Sequence, residues 1–328
     1  MSLPLSTLGG SARRSIELLD TKSRDTVGTV FRLSILVCLL VSLAVLGVLL
    51  VDVVIDGRSY LTDRLGSFLR GSLRSRSIDD KLGVKQGIFG SVWIGIFVAS
   101  IAFPIGIGAA LYLEEYARKS KLNSFIELSI RNLAGVPSVV YGLLGLFLFV
   151  ERNTILGFLP LGWLVDITGG RSVVSAGLIL AILVLPIVII TSQEAIRAVP
   201  QGLKEGAYGV GATKSEVIRS QVLPYAAPGI LTGSLLSMAR AIGEAAPLIL
   251  VGAISGGLTR NPDVWEVGAL RDRFTALPIQ IVTWVGQRGR DPGFFNAAAA
   301  AIVVLLVLVL ALNLGAVLLR NHFEKKRG

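Results

Sequence analysis

The stretch SQEAIRAVPQGLKEGAYGVGATKSEVIRSQVLP, residues 192–224, decides how the rest of the chain is read. It lies between two long apolar runs, yet it is polar and too patterned for a simple connection. Pro200 sits near its start. Residues 201–210 have the composition of a short helix, which Gly209 and Gly211 break. Thr213 and Glu216 are spaced as Thr-x-x-Glu, the capping box that starts a second helix. On that helix Ile218 and Val222 lie four apart and share a face. Leu223-Pro224 closes the stretch and opens the next apolar run. The predicted order is helix, glycine bend, capped helix, proline, membrane helix. A two-helix projection of this kind suits docking into a groove on a partner. It equally suits a helix resting on lipid headgroups, and the pattern alone does not choose.

Working outward, apolar runs occupy residues 33–55, 87–113, 133–150, 173–190, 224–254 and 297–319. Each is close to the roughly 20 residues that cross a bilayer. They are continuous and lack two-residue alternation, so helices are implied and barrel strands are not. Of 328 residues, 52% are hydrophobic and 16% charged, and the mean hydropathy is +0.71. Soluble domains carry about 25% charged residues, so a soluble enzyme and a disordered chain are both excluded. Residues 1–30 form a mixed-charge segment, too long and acidic for a signal peptide, and 31–55 is read as a retained first span. Residues 56–86 then form an external loop, 87–320 the core and 321–328 a basic tail. The apolar piece at 155–167 is short enough to be re-entrant or interfacial. Six spans place both termini on one side. Lys and Arg are shared almost evenly between the two sets of loops, and Arg70, Arg74 and Arg76 oppose cytoplasmic termini, so charge bias does not orient the chain.

One cysteine, Cys38, and one histidine, His322, exclude an internal disulfide framework, cysteine metal clusters and two-histidine metal motifs. The net charge of +10 reads as basic loops and tails flanking the spans rather than a nucleic-acid surface. Gly206-x4-Gly211 followed by Ala-Thr-Lys214-Ser215 has the outline of a P-loop. That motif needs lysine directly after the second glycine and a strand before it. Neither is present, so the chain is not expected to hydrolyse ATP.

Two charges fall inside the fifth run. Arg240 and Glu244 are four apart in one span, so they are expected to occupy one helical face and to touch. Arginine at the centre of a span costs roughly 2.5–3.5 kcal/mol on insertion scales and normally faces protein or a wet cavity. Gly233, Ser237, Arg240, Glu244 and Pro247 recur at three- and four-residue intervals along that face. Small and polar side chains there would meet another helix or a pathway. Arg240 is therefore either a transient partner for a crossing anion, with Glu244 holding it and weakening its grip, or half of an ion pair that locks two helices. Gly106 and Gly108 read as close helix packing. Pro137-Ser138 is a candidate start of a half-helix whose positive end faces an anion.

Glu205-Gly206-Ala207, then three residues, Gly211, then nine residues, and Leu223-Pro224 two residues further on resemble the EAA loop of ABC importer permeases. Gly206 replaces an alanine of that pattern and Gln221 an isoleucine. PIGIGAALYLEEY at 104–116, LAGVPSVVYG at 133–142, ARAIGEAAP at 239–247 and LPIQIVTW at 277–284 are similar to the phosphate ABC transporter permeases. The last run points to the PstA branch rather than its PstC partner. Together these matches reach from about residue 85 to the end. The resemblance implies an all-α, six-span type I (MetI-like) permease in a prokaryotic cell membrane, with both termini and residues 192–224 cytoplasmic. It implies that Glu205, Gly206, Ala207, Gly211, Leu223 and Pro224 couple to an ATPase, and that Arg240 and Glu244 serve the passage of phosphate. It implies a homologous PstC-like permease, a PstB-like ATPase dimer and a PstS-like extracytoplasmic phosphate-binding protein as partners. ATP-Mg would be held by the ATPase, with no cofactor or metal in this chain. The alternatives are a permease for molybdate or sulfate, a secondary anion transporter, and a non-transporting membrane scaffold.

Overall fold

The computed structural model describes residues 26–74, 76–118, 120–151, 154–155, 159–160, 162–254, 256, 258, 261–263 and 265–325. Most of the expected N-terminal segment and the end of the basic tail lie outside these residues. Among the described residues the regular elements are helical apart from two short paired strands, β1 (Thr154–Ile155) against β2 (Leu159–Pro160). The helices are α1 (Thr26–Thr62), α2 (Leu65–Arg70), α3 (Lys85–Leu111), α4 (Lys121–Ala134), α5 (Ser138–Gly145), α6 (Gly162–Thr168), α7 (Val173–Arg197), α8 (Gln201–Gly209), α9 (Lys214–Val217), α10 (Leu223–Gly243), α11 (Ala246–Leu250), α12 (Leu277–Gly286) and α13 (Gly293–Lys325). The chain divides into two compact units between Asp52 and Val53. In the first unit the large apolar side chains of α1 from Val27 to Val51 are exposed. A helix apolar all round is a lipid-facing span.

In the second unit α7 is the central helix. Val173, Ala176, Ile179, Leu180 and Val184 are buried against Phe89, Ile94, Val98 and Ala102 of α3. Contact is close where one helix has no side chain. A Cβ at Gly106 would lie 2.7 Å from Val188 Cγ1, as close packing predicts. Gly108, expected to pack likewise, has nothing within 4 Å and faces outward. A second cluster unites Tyr60, Phe68, Trp284 and Phe294, the last three rings stepping along at 6.2 Å. A third, containing Leu113, Ile196, Val199, Val217, Val222 and Ala226, underlies the stretch 192–224.

Among the described residues, five helical runs are long and apolar enough to cross a membrane, and a sixth results if a pair bent by 99° counts as one. That pair corrects the run at 133–150. Its helix breaks between Ala134 and Ser138, and Pro137 caps α5, which continues as a π-turn from Leu146 to Val150. Pro137 cannot donate to the carbonyl of residue 133, and its ring collides with it. The half-helix expected at Pro137-Ser138 is therefore present. The run at 224–254 is corrected in the same way. α10 stops at Gly243, Glu244 is extended, and α11 restarts at Ala246. Pro247 denies Gly243 its α-helical partner. The piece expected at 155–167 contains β2 and most of α6, with residues 156–158 and 161 outside the described ones.

Candidate functional site

The stretch 192–224 folds as its local chemistry dictates. α8 ends in a turn whose Gly211 has φ +89°, with Gly211 N donating to Tyr208 O at 2.9 Å and Ala212 N to Ala207 O at 3.2 Å. A Cβ at Gly211 would meet nothing within 4 Å, so the left-handed backbone and not lack of space selects glycine. Thr213 and Glu216 close the capping box. Glu216 N donates to Thr213 Oγ1 at 3.4 Å, and Thr213 N to Glu216 Oε2 at 2.7 Å. Val217, Ile218 and Val222 are buried, as the four-residue spacing predicts. Gln221, at a position where isoleucine is usual in the EAA pattern, lies at the edge of that face and is only half-buried. A polar side chain is tolerated there.

One detail differs from expectation. Leu223-Pro224 does not separate the second loop helix from the membrane helix. α9, a π-turn at Ile218–Val222 and α10 form one uninterrupted run. Leu223 N donates to Ile218 O across the wider turn, which makes room for the ring of Pro224 and for its missing donor. Movement of the loop is thus continuous with α10. Glu205 and Gly206 are exposed, Ala207 packs on the third cluster, and Val210 at the tip is 86% exposed.

Sequence reading missed how the loop is fastened. Glu114 and Glu115 lie in a π-turn, Tyr112–Tyr116, that ends α3. Glu114 accepts from Arg197 Nε and Gln193 Nε2, both at 2.9 Å, which ties α3 to α7. Glu115 Oε1 pairs with Lys204 Nζ at 2.5 Å. The ammonium of Lys214 sits 4.8 Å from the centre of the Tyr116 ring, a cation–π contact. The one advance signal is the Glu-Glu-Tyr run in an otherwise apolar helix.

At the other end of α10, Arg240 occupies the last turn, where a cation complements the helix dipole. Its Nε lies 3.4 Å from Glu244 Oε1. The ion pair read from the spacing exists, but Glu244 is beyond the helix, with φ −78° and ψ 122°. The expected stripe therefore divides. Gly233 and Ser237 are buried, Gly233 beside Thr191 of α7, whereas the Arg240 side chain is 52% exposed and that of Glu244 20%. Helices α5 and α11 run side by side in the same direction. A Cβ at Gly142 would lie 2.8 Å from Pro247 Cα, and one at Gly145 2.9 Å from Val251 Cγ2. The start of α11 therefore lies beside Gly142, one turn into α5. A half-exposed guanidinium in the last turn of α10 favours an anion.

A family of binding-protein-dependent transport system inner membrane components matches residues 102–327. The chain is 30% identical over 297 residues to the probable ABC transporter permease YqgI of Bacillus subtilis, covering 88% of this chain and 93% of that one. It is 32% identical over 247 residues to the phosphate transport system permease PstA 1 of Mycobacterium tuberculosis, covering 75% and 73%. It is 33% identical over 197 residues to PstC 2 of the same organism, covering 56% of this chain and 60% of that one. Among solved structures, a chain of a bacterial alginate ABC transporter, in complex with an alginate pentasaccharide-bound periplasmic protein, superposes with a TM-score of 0.59 at 16% identity, over 89% of this chain and 93% of that one.

Proposed function

The chain belongs to the binding-protein-dependent transport system inner membrane components, and from that membership we propose that it is the permease subunit of an ATP-driven inorganic phosphate importer. As a permease component of an ABC importer it is a multi-pass membrane protein. The proposal adds the substrate, the partners and the orientation. It would form half of the pathway beside a PstC-like permease, receive phosphate from a PstS-like binding protein outside, and dock a PstB-like ATPase pair that holds ATP-Mg. The stretch 192–224 and both termini are cytoplasmic in this reading. Glu205, Gly206, Ala207, Gly211, Leu223 and Pro224 belong to the docking loop.

The observation that carries the phosphate reading is the half-exposed Arg240 in the last turn of α10, just before the helix break. A guanidinium offers two parallel donors that fit a tetrahedral oxyanion. Glu244, 3.4 Å away, competes for those donors and keeps the anion from staying. The identities with PstA 1 and PstC 2 support phosphate as that anion. The test is ATP-driven uptake of labelled phosphate by the reconstituted complex, with sulfate and molybdate as competitors. Phosphate uptake that needs ATP and resists both competitors is the expected result. Preferential uptake of a competitor would reassign the substrate, and uptake without an ATPase would make the chain a secondary transporter.

A further inference from the structure

We propose that Glu115 and Lys204 form the strut through which movement of α8 reaches the membrane helix α3, and that both are positioning residues of the coupling machinery. The inference rests on the coupling role proposed above. None of the nine residues of α8 is buried, so the helix has little apolar anchorage of its own. Its links to the spans turn at Pro200 before it and at left-handed Gly211 after it. A helix held in this way transmits force mainly through its side-chain contacts. Lys204, next to Glu205, turns inward and meets Glu115 at 2.5 Å, with the two side chains only 16% and 9% exposed.

The neighbouring carboxylate does a different task. Glu114 bonds Arg197 and Gln193 of α7 and so fixes the end of α3 to the central helix. Two consecutive glutamates therefore connect one turn of α3 to two bodies, the membrane core and the loop. Desolvation makes a buried ion pair a weak source of net stability, while its short directional bond fixes geometry. Such a pair suits transmission of movement better than it suits holding the fold together.

The test uses the full complex with its ATPase, and the isolated chain for geometry. E115L/K204M removes both charges at similar volume and leaves neither unpaired, and K204R keeps the pair. In the complex, E115L/K204M should retain the ATPase and hydrolyse ATP while phosphate moved per ATP falls about 10-fold, the loss of one charge-assisted bond. K204R should stay near the unaltered value. In the isolated chain with Cys38→Ala, spin labels at exposed Ser100 and Tyr208 should give a narrow distance distribution that broadens in E115L/K204M. Unchanged width together with unchanged phosphate moved per ATP overturns the strut. If the unaltered complex neither retains an ATPase nor takes up phosphate, yet the distribution broadens, the coupling reading fails while the mechanical link stands.

Discussion

The two ends of α10 are built in opposite ways. At its start the capping box closes and Val217, Ile218 and Val222 are buried, while Leu203, Tyr208 and Val210 of the adjoining helix and bend stay exposed. At its end the helix stops at Gly243, and Arg240 points half its surface outward. The first end is anchored by buried apolar side chains of this chain. The second leaves the Arg240 side chain half exposed beside a helix break, paired with Glu244. Under the function proposed above, the anchored end would receive movement from the loop and the exposed end would face the pathway.

The sharpest way to break this comparison is to neutralise the open end. Arg240→Gln with Glu244→Gln removes both charges and leaves none unpaired. Losing a bidentate charge-assisted contact is expected to lower phosphate uptake about 100-fold, with assembly and ATP hydrolysis retained. Near-normal uptake by the double variant would reduce Arg240 to a helix lock. Next in size is Gly142→Val. Its side chain must enter the space held by Pro247 and Leu250, an overpacking worth about 1–3 kcal/mol. Chemical denaturation of the purified chain should show the loss of stability, and uptake should fall while ATPase retention does not.

Gly211→Val tests the anchored end. Space is free there, so only the left-handed backbone opposes it, at about 1–2 kcal/mol. Uptake and ATPase stimulation should fall together by roughly 10-fold while the subunit still inserts. Gly211→Asn, which tolerates that conformation better, should retain more of both. Unaltered coupling in the valine variant would remove the bend from the mechanism. The smallest expected effect is that of Gly206→Ala, a position with nothing within 4 Å. It should strengthen α8 by up to about 1 kcal/mol, visible as slower amide exchange across residues 201–209. Faster exchange would mean that the glycine is needed for a reason its open surroundings do not display.

Much of the first end was legible in the sequence because its causes are local. Thr213 caps a residue three places on, Gly211 sets its own φ, and Ile218 and Val222 share a face through helical period alone. The family pattern then gave this stretch a role in coupling. The apolar runs gave membrane helices for the same reason, since about 20 apolar residues in sequence suffice. The second end was only half legible. The Arg240 and Glu244 pair was found from its spacing, but the continuous helix assumed for it is absent. Prolines at 104, 186 and 228 sit inside helices without stopping them, whereas Pro137 and Pro247 coincide with breaks. Proline alone does not decide, and the glycines at 135 and 243 together with the packing of α5 on α11 tip the balance.

What the sequence determined by itself is therefore the apolar runs that become membrane helices, the capped two-helix loop, the glycine bend and the presence of a charge pair in the fifth run. Each depends on interactions within a few residues, where chain connectivity fixes the geometry. Tertiary structure decided that α5 and α11 are half-helices lying side by side, that the polar stripe of α10 divides into a buried and an open part, and that Lys204 meets Glu115, 89 positions away in the chain. No local pattern encodes a partner at that distance. A lysine and a glutamate on separate helices carry no sign of each other until burial of α7 between α3 and α10 brings the ends of the helices together.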